Sequence, residues 1–440
     1  MNSRYRKAIE YIYNLNKFGM KLGLKNITGL LSIFDNPHLK IKVIHIAGTN
    51  GKGSTAAVLH SILQKANYKA GLYTSPHLVD FQERMKINDE YITQDEVCDL
   101  LERLKPAIQK IAHTEGFQHP TFFEVITAMA YLYFYEKEVD FAIMEVGLGG
   151  RLDATNVCQP LISVITHIDF DHMAQLGNTL AEIAAEKGAI IKENAPVVCA
   201  RQSAEADVVI KRIAQEKKTL LYTFGEEFNA TLICSLLRGN HFQYCGIYNN
   251  YHNLFVPLVG EYQLENTSLA IAAAELLHNN GFNIRRDAII EGVESSQWPG
   301  RFEIVREKPM IILDGGHNPN GINQFMDNLK RLIPNKKIIA VLGIFQDKDY
   351  RVMVKTVVSQ VSQVIITMAD NPRATPASLL AEEARRYIAA DKIIETTNVK
   401  AAIDQAIRIA QEEDVICITG SLYTVGEAES YFLKKVRKGK

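Results

Sequence analysis

Residues 41–61 read IKVIHIAGTNGKGSTAAVLHS and combine three local patterns. Val43–Ile46 is a short apolar run with β-branched residues, which predicts a buried strand. Gly48–Thr55 is rich in glycine and interrupts the apolar pattern. Apolar residues then recur at helical spacing, at Val58, Leu59, Ile62, Leu63 and Ala66. The sequence therefore predicts a strand, a glycine-rich turn and a helix.

The glycine-rich turn is typical of a phosphate-binding loop. Glycine lets backbone N–H groups approach an anion at a helix N-terminus, while Lys52 adds a positive charge. Ser54 or Thr55 offers a hydroxyl group to Mg²⁺. The spacing departs from the usual motif, because Gly48 and Gly51 are close together and a glycine follows the lysine. A plain tight turn is the simpler alternative, but the flanking strand and helix favour the phosphate chain of a nucleotide as ligand.

Length and composition narrow the class of protein. At 440 residues the chain is too long for one small core, so we expect at least two domains. A hydrophobic content of 47% and a charged content of 22% are ordinary for a soluble globular protein. The formal net charge of -1 gives no overall electrostatic case for binding nucleic acid or an anionic membrane. The first 18 residues contain no apolar core of signal-peptide length, and no apolar run reaches about 18 residues, so we expect neither a signal peptide nor a transmembrane helix. The 6 scattered cysteines indicate reduced thiols in the cytoplasm rather than disulfides or a zinc site.

Predicted strands alternate with predicted helices in the first part of the chain, which favours a doubly wound α/β domain. After Val43–Ile46, further strands are predicted at Ala70–Thr74, Val139–Val146 and Leu161–Ile165. The phosphate loop, Ser75, Glu145 and His172 all lie at or just past the carboxyl ends of these strands. Ligands of parallel sheets bind at that edge. A carboxylate there could be merely solvated, but beside a phosphate loop we expect Glu145 to bind Mg²⁺, with Ser75 and His172 completing the set.

A second, smaller α/β domain is predicted in the C-terminal third of the chain. Gln297–Gly300 reads QWPG, a composition typical of a domain hinge. Four apolar segments follow it and are separated by helical patterns: MIILD, KIIAVLG, QVIITM and VICITG. We therefore divide the chain into domains 1–297 and 298–440.

Two candidate positions have simple structural explanations. Thr121 and Glu124 stand at the start of a long apolar helix with the spacing of a capping box, and this explanation is complete in itself. Lys187 lies on a predicted helix, where it would form an ion pair with Glu182 or Glu186.

Several longer motifs extend the pattern beyond the phosphate loop. They occur in the order HIAGTNGKGS (45–54), YTSPHL (73–78), EVGLGGRLDATN (145–156), DH (171–172), EKG (186–188), WPGR (298–301), DGGHNP (314–319) and GSLYTVG (420–426). Together they closely resemble the folylpolyglutamate synthase and dihydrofolate synthase family, a branch of the Mur ligase superfamily. The resemblance covers nearly the whole chain. It implies that residues 1–297 form an ATP-binding Mur ligase central domain and residues 298–440 a C-terminal glutamate ligase domain.

The family resemblance implies an ATP-dependent amide ligase. ATP would phosphorylate a folate carboxylate, and the amino group of L-glutamate would displace the phosphate from the resulting acyl phosphate. The acceptor is left open between dihydropteroate and reduced folates, and we favour an enzyme that uses both. By resemblance we expect a monomer that acts on small molecules.

The resemblance also assigns roles to individual residues. Catalytic roles fall to Lys52, Lys187, His172 and Arg301, and Lys187 would be carbamylated so that it could bind a second Mg²⁺. The nucleotide would contact Asn50, Gly51, Lys52, Gly53 and Ser54, with Asn266, Arg301 and Asp314 reaching it from the far side of the cleft. The folate substrate would contact Thr121, Phe122, Phe123, Glu124, Leu152, Asp153, Ala154 and His317. The first Mg²⁺ would bind Ser75, Glu145 and His172.

Some of these assignments have alternatives. Arg301 resembles an arginine finger that would act after domain closure, but it could instead pair with Glu303. Gly316 replaces the alanine found in many family members, which removes a methyl group and no assigned role.

Two other functions compete with folate ligation. One is a Mur-type ligase that adds an amino acid to a cell-wall nucleotide precursor. Two arguments oppose it: segments that resemble pterin contacts are present, and we expect no separate N-terminal domain for a uridine nucleotide. The other is a nucleotide switch or small-molecule kinase, but no N-K-x-D guanine signature occurs and a second α/β domain would have no role there.

Overall fold

The structure is a computed structural model that describes residues 3–19 and 23–438. Unit 1 consists of the chain up to Ile233 together with Phe242–Val256 and Gln263–Ser296. Unit 2 consists of Cys234–His241, Pro257–Tyr262 and the chain from Gln297. The roles assigned above to domains 1–297 and 298–440 stay predictions.

Unit 1 is built on a mixed sheet. Its strands are β1 (Val43–Ala47), β2 (Ala70–Tyr73), β3 (Met85–Ile87), β4 (Glu90–Tyr91), β5 (Phe141–Glu145), β6 (Pro160–Ile165), β7 (Val197–Cys199) and β8 (Leu221–Thr223). Their order across the sheet is β4-β3-β2-β5-β1-β6-β7-β8. Neighbours from β2 to β8 pair in parallel, whereas β3 and β4 pair antiparallel at one edge. The predicted doubly wound class is confirmed, with β1 in the interior of the sheet.

The helices of this part of the chain cover the sheet. They are α1 (Ser3–Asn14), α2 (Lys25–Ser32), α3 (Lys52–Lys65), α4 (Gln94–Ala112), α5 (Phe122–Glu136), α6 (Met173–Leu176), α7 (Leu180–Gly188), α8 (Ala204–Glu216), α9 (Tyr262–Asn279) and α10 (Arg286–Glu294). Buried residues of α1, α2, α4 and α5 share one hydrophobic cluster with β2 and β5. A second cluster joins β6 and β7 to α7 and α8. These two clusters hold the strand ends, and therefore the loops that follow them, in fixed positions.

A separate small sheet has the order β11-β10-β9. Its strands are β9 (Asn229–Leu236), β10 (Gly239–Cys245) and β11 (Asn250–Val256).

Unit 2 contains a second sheet, with the order β12-β13-β17-β14-β15-β16. Its strands are β12 (Glu303–Glu307), β13 (Met310–Leu313), β14 (Ile338–Leu342), β15 (Gln363–Ile366), β16 (Ile393–Glu395) and β17 (Val415–Thr419). The helices are α11 (Pro319–Leu332), α12 (Tyr350–Val358), α13 (Ala377–Ala384), α14 (Val399–Ile409) and α15 (Leu422–Lys438). The predicted apolar strands are all present and pair in parallel, while β12 adds an antiparallel edge that the apolar pattern did not indicate.

Candidate active site

The phosphate loop connects β1 to α3. Gly51 is the N-cap of α3 and has φ 91°, a left-handed conformation that favours glycine. A Cβ atom at this position would lie 2.1 Å from Oδ1 of Asn266, so the close approach also requires glycine. Because glycine has no side chain, no capping oxygen from residue 51 covers the first N–H groups of this 14-residue helix. These N–H groups and the helix dipole suit an anionic phosphate.

The segment that follows β6 holds the loop in place. The backbone N–H groups of Thr49 and Asn50 donate to the carbonyl oxygen of His167, at 2.9 and 3.2 Å. The Thr49 hydroxyl bridges to the backbone of Asp169, with both oxygen and nitrogen at 3.0 Å. This segment also carries His172, so the predicted phosphate and metal residues lie on connected loops.

Two lysines converge on the first glycine of the loop. Lys52 Nζ donates to the carbonyl oxygens of Gly48 and Thr49, each at 3.0 Å. Lys187 Nζ, whose residue is only 4% exposed, donates to the same Gly48 oxygen at 2.8 Å. Since both amines bond to one oxygen, the two nitrogen atoms lie at most about 6 Å apart.

The simple explanation of Lys187 as half of an ion pair on its own helix is not what the structure shows. Glu186 forms an ion pair with Arg151 at 2.8 Å. Glu182 accepts from backbone N–H groups at the start of α7, as part of a capping box. Lys187 instead reaches the phosphate loop, 139 residues away in sequence.

Two of the three predicted metal residues, Glu145 and Ser75, lie at the carboxyl edge of the sheet. Glu145, the last residue of β5, is 5% exposed, and its Oε2 accepts from the Ser75 backbone N–H at 3.1 Å. Its carboxylate and the Ser75 hydroxyl have the oxygen chemistry that Mg²⁺ prefers. His172 has φ 50° and a backbone N–H that donates to its neighbour Asp171 at 2.9 Å. Within the described residues no three His, Cys, Asp or Glu side chains form a metal cluster, and the predicted set includes only two of these types.

The residues predicted to contact folate begin α5. The Thr121 N–H and hydroxyl both donate to Glu124 Oε2, at 2.8 and 2.9 Å, and the Glu124 N–H donates back at 3.3 Å. The capping box is therefore confirmed. Phe122 is stacked on Tyr13, with ring centroids 5.7 Å apart and planes at 8°. The guanidinium group of Arg84 lies over the same ring at 5.5 Å.

The loop after β5 is shaped by Asp153. Its Oδ2 accepts from the N–H groups of Gly147 and Leu148, at 3.1 and 2.9 Å. Its Oδ1 accepts from the N–H and hydroxyl of Thr155, at 3.0 and 2.5 Å. Burial raises the pKa of Asp153 above its usual range, although these hydrogen bonds oppose the shift. The carboxylate is thus engaged by its own loop, and the folate contacts of Leu152, Asp153 and Ala154 stay predictions.

Gly147 places the loop after β5 against α5. A Cβ atom on Gly147 would lie 2.3 Å from Cζ of Phe123, so the loop backbone and this ring touch closely. The two segments predicted to contact folate are therefore neighbours in space as well as in the predicted role.

In unit 2, Asp314 organises the turn after β13. It is 3% exposed and accepts from the backbone N–H groups of Phe302 and Gly316, at 3.0 and 2.8 Å. Burial raises its pKa, and the charge of Arg301 opposes the shift. In the described part of the chain, Arg301 forms no ion pair with Glu303, whose carboxylate accepts instead from the Gly300 N–H at 2.7 Å.

His317 and Asn266 complete the predicted set. His317 Nδ1 lies 2.9 Å from the Gly315 carbonyl oxygen in unit 2. Asn266 lies in unit 1, where its carbonyl oxygen accepts from the Thr55 hydroxyl at 3.2 Å. The prediction that Asn266 acts from the far side of a cleft is wrong about its place, because it contacts the phosphate loop within the same unit.

Comparison with known proteins identifies the family. The model of the Mur ligase middle domain matches residues 46–274, and that of the Mur ligase glutamate ligase domain matches residues 300–422. A dihydrofolate synthase/folylpolyglutamate synthase of Bacillus subtilis is 37% identical over 97% of this chain and 99% of its own. The chain belongs to the folylpolyglutamate synthase/dihydrofolate synthase family. Members of this family of Mur ligases form C–N bonds, so the predicted enzyme class is confirmed.

Solved structures agree with this family assignment. A Mycobacterium tuberculosis folylpolyglutamate synthase complexed with ADP superimposes with a TM-score of 0.90 at 29% identity, covering 97% of this chain and 99% of that one. An Escherichia coli FolC in complex with DHPP and ADP gives a TM-score of 0.86 at 30% identity, covering 97% and 98%. The Mur ligase fold is therefore confirmed, and these relatives do not favour the alternative of a cell-wall precursor ligase.

Residues outside the predicted set contact Phe122, which is predicted to bind folate. His77, two residues past Ser75, bonds through Nε2 to the Tyr13 hydroxyl at 3.2 Å and accepts from Arg84 Nε through Nδ1 at 2.8 Å. Tyr13, His77, Arg84 and Phe122 therefore form a closed ring of contacts. His77 lies inside the YTSPHL motif, so the sequence could have identified it as a site residue. Tyr13 lies in no such motif, so the sequence could not have identified it.

The lengths and compositions of the helices can be compared with those of membrane-spanning helices. Within residues 3–19 and 23–438, no helix combines the length and the apolar composition needed to cross a bilayer.

Proposed function

We propose that this protein is an ATP-dependent ligase that joins L-glutamate to folates through an acyl phosphate. The observation that carries the proposal is the convergence of Lys52 and Lys187 on the phosphate loop, beside Glu145 and Ser75 at the same sheet edge. The homologue of Mycobacterium tuberculosis was solved with ADP, which supports ATP as the nucleotide used here.

The proposed reaction has two steps. First, a carboxylate oxygen of the folate attacks the γ-phosphorus of ATP, and the bond to ADP breaks. Second, the glutamate amine attacks the acyl carbon, phosphate leaves with the acyl oxygen, and the amine loses a proton. The first step brings anions together, so the Lys52 ammonium and the first N–H groups of α3 would stabilise the transferring phosphoryl group. Mg²⁺, held by Ser75, Glu145 and His172, would supply further positive charge there.

Carbamylation of Lys187 would change the charge balance of this loop. Two ammonium groups at most about 6 Å apart repel each other by at least about 3 kcal/mol at an effective dielectric constant of about 20. A carbamate at Lys187 carries a negative charge, so the repulsion from Lys52 would become an attraction. The same carbamate could bind a second Mg²⁺, which a plain lysine would repel.

The carbamate can be tested directly. After CO₂ is removed, activity should fall, and bicarbonate should restore it. Lys187→Ala should be nearly inactive, whereas Lys192→Ala, at a partly buried lysine four residues past the end of α7, should respond to bicarbonate as the wild type does. ¹³C-labelled bicarbonate should give a carbamate signal in the wild type that Lys187→Ala lacks. An alanine variant with full kcat would remove the carbamate from the mechanism.

We propose that both dihydropteroate and reduced folates are acceptors. The Bacillus subtilis relative is named for both activities, and the Escherichia coli homologue was solved with DHPP and ADP. The cytoplasmic location and the monomeric state stay predictions.

The deciding experiment is ADP release with ATP, Mg²⁺ and L-glutamate. Parallel reactions contain dihydropteroate, tetrahydrofolate or no acceptor. Turnover with both acceptors would establish a bifunctional ligase, and turnover with tetrahydrofolate alone would establish a polyglutamate synthase. Lys52→Ala should abolish the activity, while Lys65→Ala, at an exposed lysine in the last turn of the same helix, should not. ADP release that ignores acceptor and glutamate would refute the ligase.

A further inference from the structure

A buried chain of polar side chains connects β1 to the loop after β5. His45, in the middle of β1, has its Nε2 2.8 Å from the Thr155 hydroxyl and its Nδ1 3.7 Å from Cys158 Sγ. The Thr155 hydroxyl lies 2.5 Å from Asp153 Oδ1. His45 and Thr155 are fully buried, and Asp153 is 6% exposed. His45, Thr155 and Cys158 have no role in the proposed reaction.

The hydrogen bonds of this chain run in one direction. A carboxylate only accepts, so the Thr155 hydroxyl donates to Asp153 and must accept from His45 Nε2. The imidazole therefore carries its proton on Nε2, and its Nδ1 accepts from the Cys158 thiol. Burial, helped by the charge of Lys192, lowers the pKa of His45 to about 3, so the ring stays neutral at pH 7. The donor and the acceptor of each hydrogen bond in this series are then fixed.

This series of hydrogen bonds ends on the backbone of the loop after β5, part of which is predicted to contact folate. While Asp153 Oδ1 accepts from Thr155, its Oδ2 accepts from Gly147 and Leu148. Gly147 in turn touches the ring of Phe123. A change at His45 or Thr155 would therefore turn or release the Asp153 carboxylate and move the loop beside Phe123.

We propose that His45 and Thr155 are positioning residues for the folate site, which act by aiming the Asp153 carboxylate at the backbone of Gly147 and Leu148. The inference rests on the proposed function and on the prediction that Phe123 contacts the folate. A nucleophilic role for the Cys158–His45 pair is excluded by burial, which raises the pKa of the thiol to about 11 and keeps it from substrate.

Matched substitutions separate the hydroxyl of Thr155 from its shape. Thr155→Val keeps the branched shape and deletes the hydroxyl, whereas Thr155→Ser keeps the hydroxyl and deletes a methyl group. Likewise, His45→Gln keeps a donor near the position of Nε2 and His45→Leu removes it. We expect the valine and leucine variants to raise KM for tetrahydrofolate about tenfold or more and KM for ATP less than about threefold. The serine and glutamine variants should stay within about threefold of wild type for both.

A control histidine tests whether any buried imidazole would give the same result. His60 is 3% exposed and bonds through Nε2 to the Ala70 carbonyl oxygen at 3.2 Å, with no link to Asp153. His60→Leu should lower Tm without a selective rise in KM for the folate. An equal selective rise in this variant would overturn the proposal.

Hydrogen–deuterium exchange gives a readout that does not need activity. The peptide covering residues 146–153 should exchange faster in Thr155→Val than in Thr155→Ser or wild type. Unchanged exchange, or a KM for ATP that rises as much as that for folate, would overturn the positioning role. If the wild type turned over no folate while this peptide still responded as expected, the proposed function would fail and the loop-holding part of the inference would stand.

Discussion

Replacing Gly51 by alanine would add one methyl group at the N-cap of α3, where the backbone has φ 91°. The new Cβ would lie 2.1 Å from Oδ1 and 2.9 Å from Cγ of Asn266, well inside ordinary contact distance. Asn266 is 5% exposed and donates through Nδ2 to Gln263 at 3.0 Å, so it has little room to move. Two separate costs therefore arise, one from the backbone and one from the overlap.

The two costs can be assigned rough sizes. A left-handed backbone conformation costs a non-glycine residue about 1–2 kcal/mol. Moving the Asn266 amide breaks its bond to Gln263, which costs about 1 kcal/mol more. We expect Gly51→Ala to lower the free energy of unfolding by about 2–3 kcal/mol, which for a unit of this size corresponds to a fall in Tm of about 3–5 °C. The displaced N-cap should also weaken ATP binding by about tenfold or more.

Gly281 provides a matched control. Its φ is 94°, nearly the same as that of Gly51, but a Cβ atom there would meet nothing within 4 Å among the described residues. Gly281→Ala should therefore show the backbone cost alone, about 1–2 kcal/mol, with unchanged ATP affinity.

Thermal denaturation and calorimetric titration with a non-hydrolysable ATP analogue would measure both effects. Equal losses of stability in the two variants would show that the overlap with Asn266 costs nothing. Full nucleotide affinity in Gly51→Ala would refute the assignment of this turn as the phosphate-binding loop.

Three further predictions concern other parts of the chain. Arg301→Met should lower kcat about 100-fold and change the Kd for ATP less than about threefold, because its charge would act after domain closure. Tyr13→Phe keeps the ring stacked on Phe122 but deletes the bond to His77, so KM for the folate should rise about two- to fivefold with KM for ATP unchanged. Between pH 6.5 and pH 4, the His60 side chain should make the free energy of unfolding of the wild type fall by about 1.4 kcal/mol per pH unit. His60→Gln should lack this contribution, which urea unfolding at several pH values would measure.

The sign of the pH effect follows from burial. Burial lowers the pKa of His60 to about 4 in the folded state, so between pH 6.5 and pH 4 the unfolded chain binds a proton that the folded chain does not. Stability is therefore lost as the pH falls, and identical pH slopes of stability in wild type and variant would contradict the argument.

The other two predictions can also fail. If Arg301→Met changed only the affinity for ATP, Arg301 would not act as an arginine finger. If Tyr13→Phe kept the wild-type KM for folate, the contact with His77 would not position Phe122.

Local patterns account for much of what could be predicted. The strand–turn–helix around residues 43–65 and the capping box at Thr121 depend on residues close together in sequence. Hydrophobic spacing and cap residues encode such features directly. The co-location of Glu145 and Ser75 followed from the general rule that parallel strands end at one edge of a sheet.

Side-chain partners far apart in sequence could not be predicted in this way. Lys187 reaches Gly48 across 139 residues, and His45 reaches Thr155 across 110. Helical spacing favoured a local ion pair for the lysine, because only its neighbours on the helix are visible in the sequence. A histidine inside an apolar strand gives no sign of its partner until the fold places another loop beside it.

The division of the chain into units restricts where the protein can be truncated or fused to a relative. The chain enters unit 2 at Cys234–His241 and again at Pro257–Tyr262 before it does so finally at Gln297. Within that unit, Asn240 donates to the carbonyl oxygens of Leu258 and Gly260, at 2.7 and 3.0 Å. Val259 belongs to the hydrophobic cluster of this unit, and Leu237 packs against the same cluster. A fragment that begins at residue 298 would lack both side chains and leave that part of the cluster open to water. Exchanging C-terminal halves between relatives is accordingly a graft of three pieces, and a fusion at a single junction would combine mismatched parts of one folding unit.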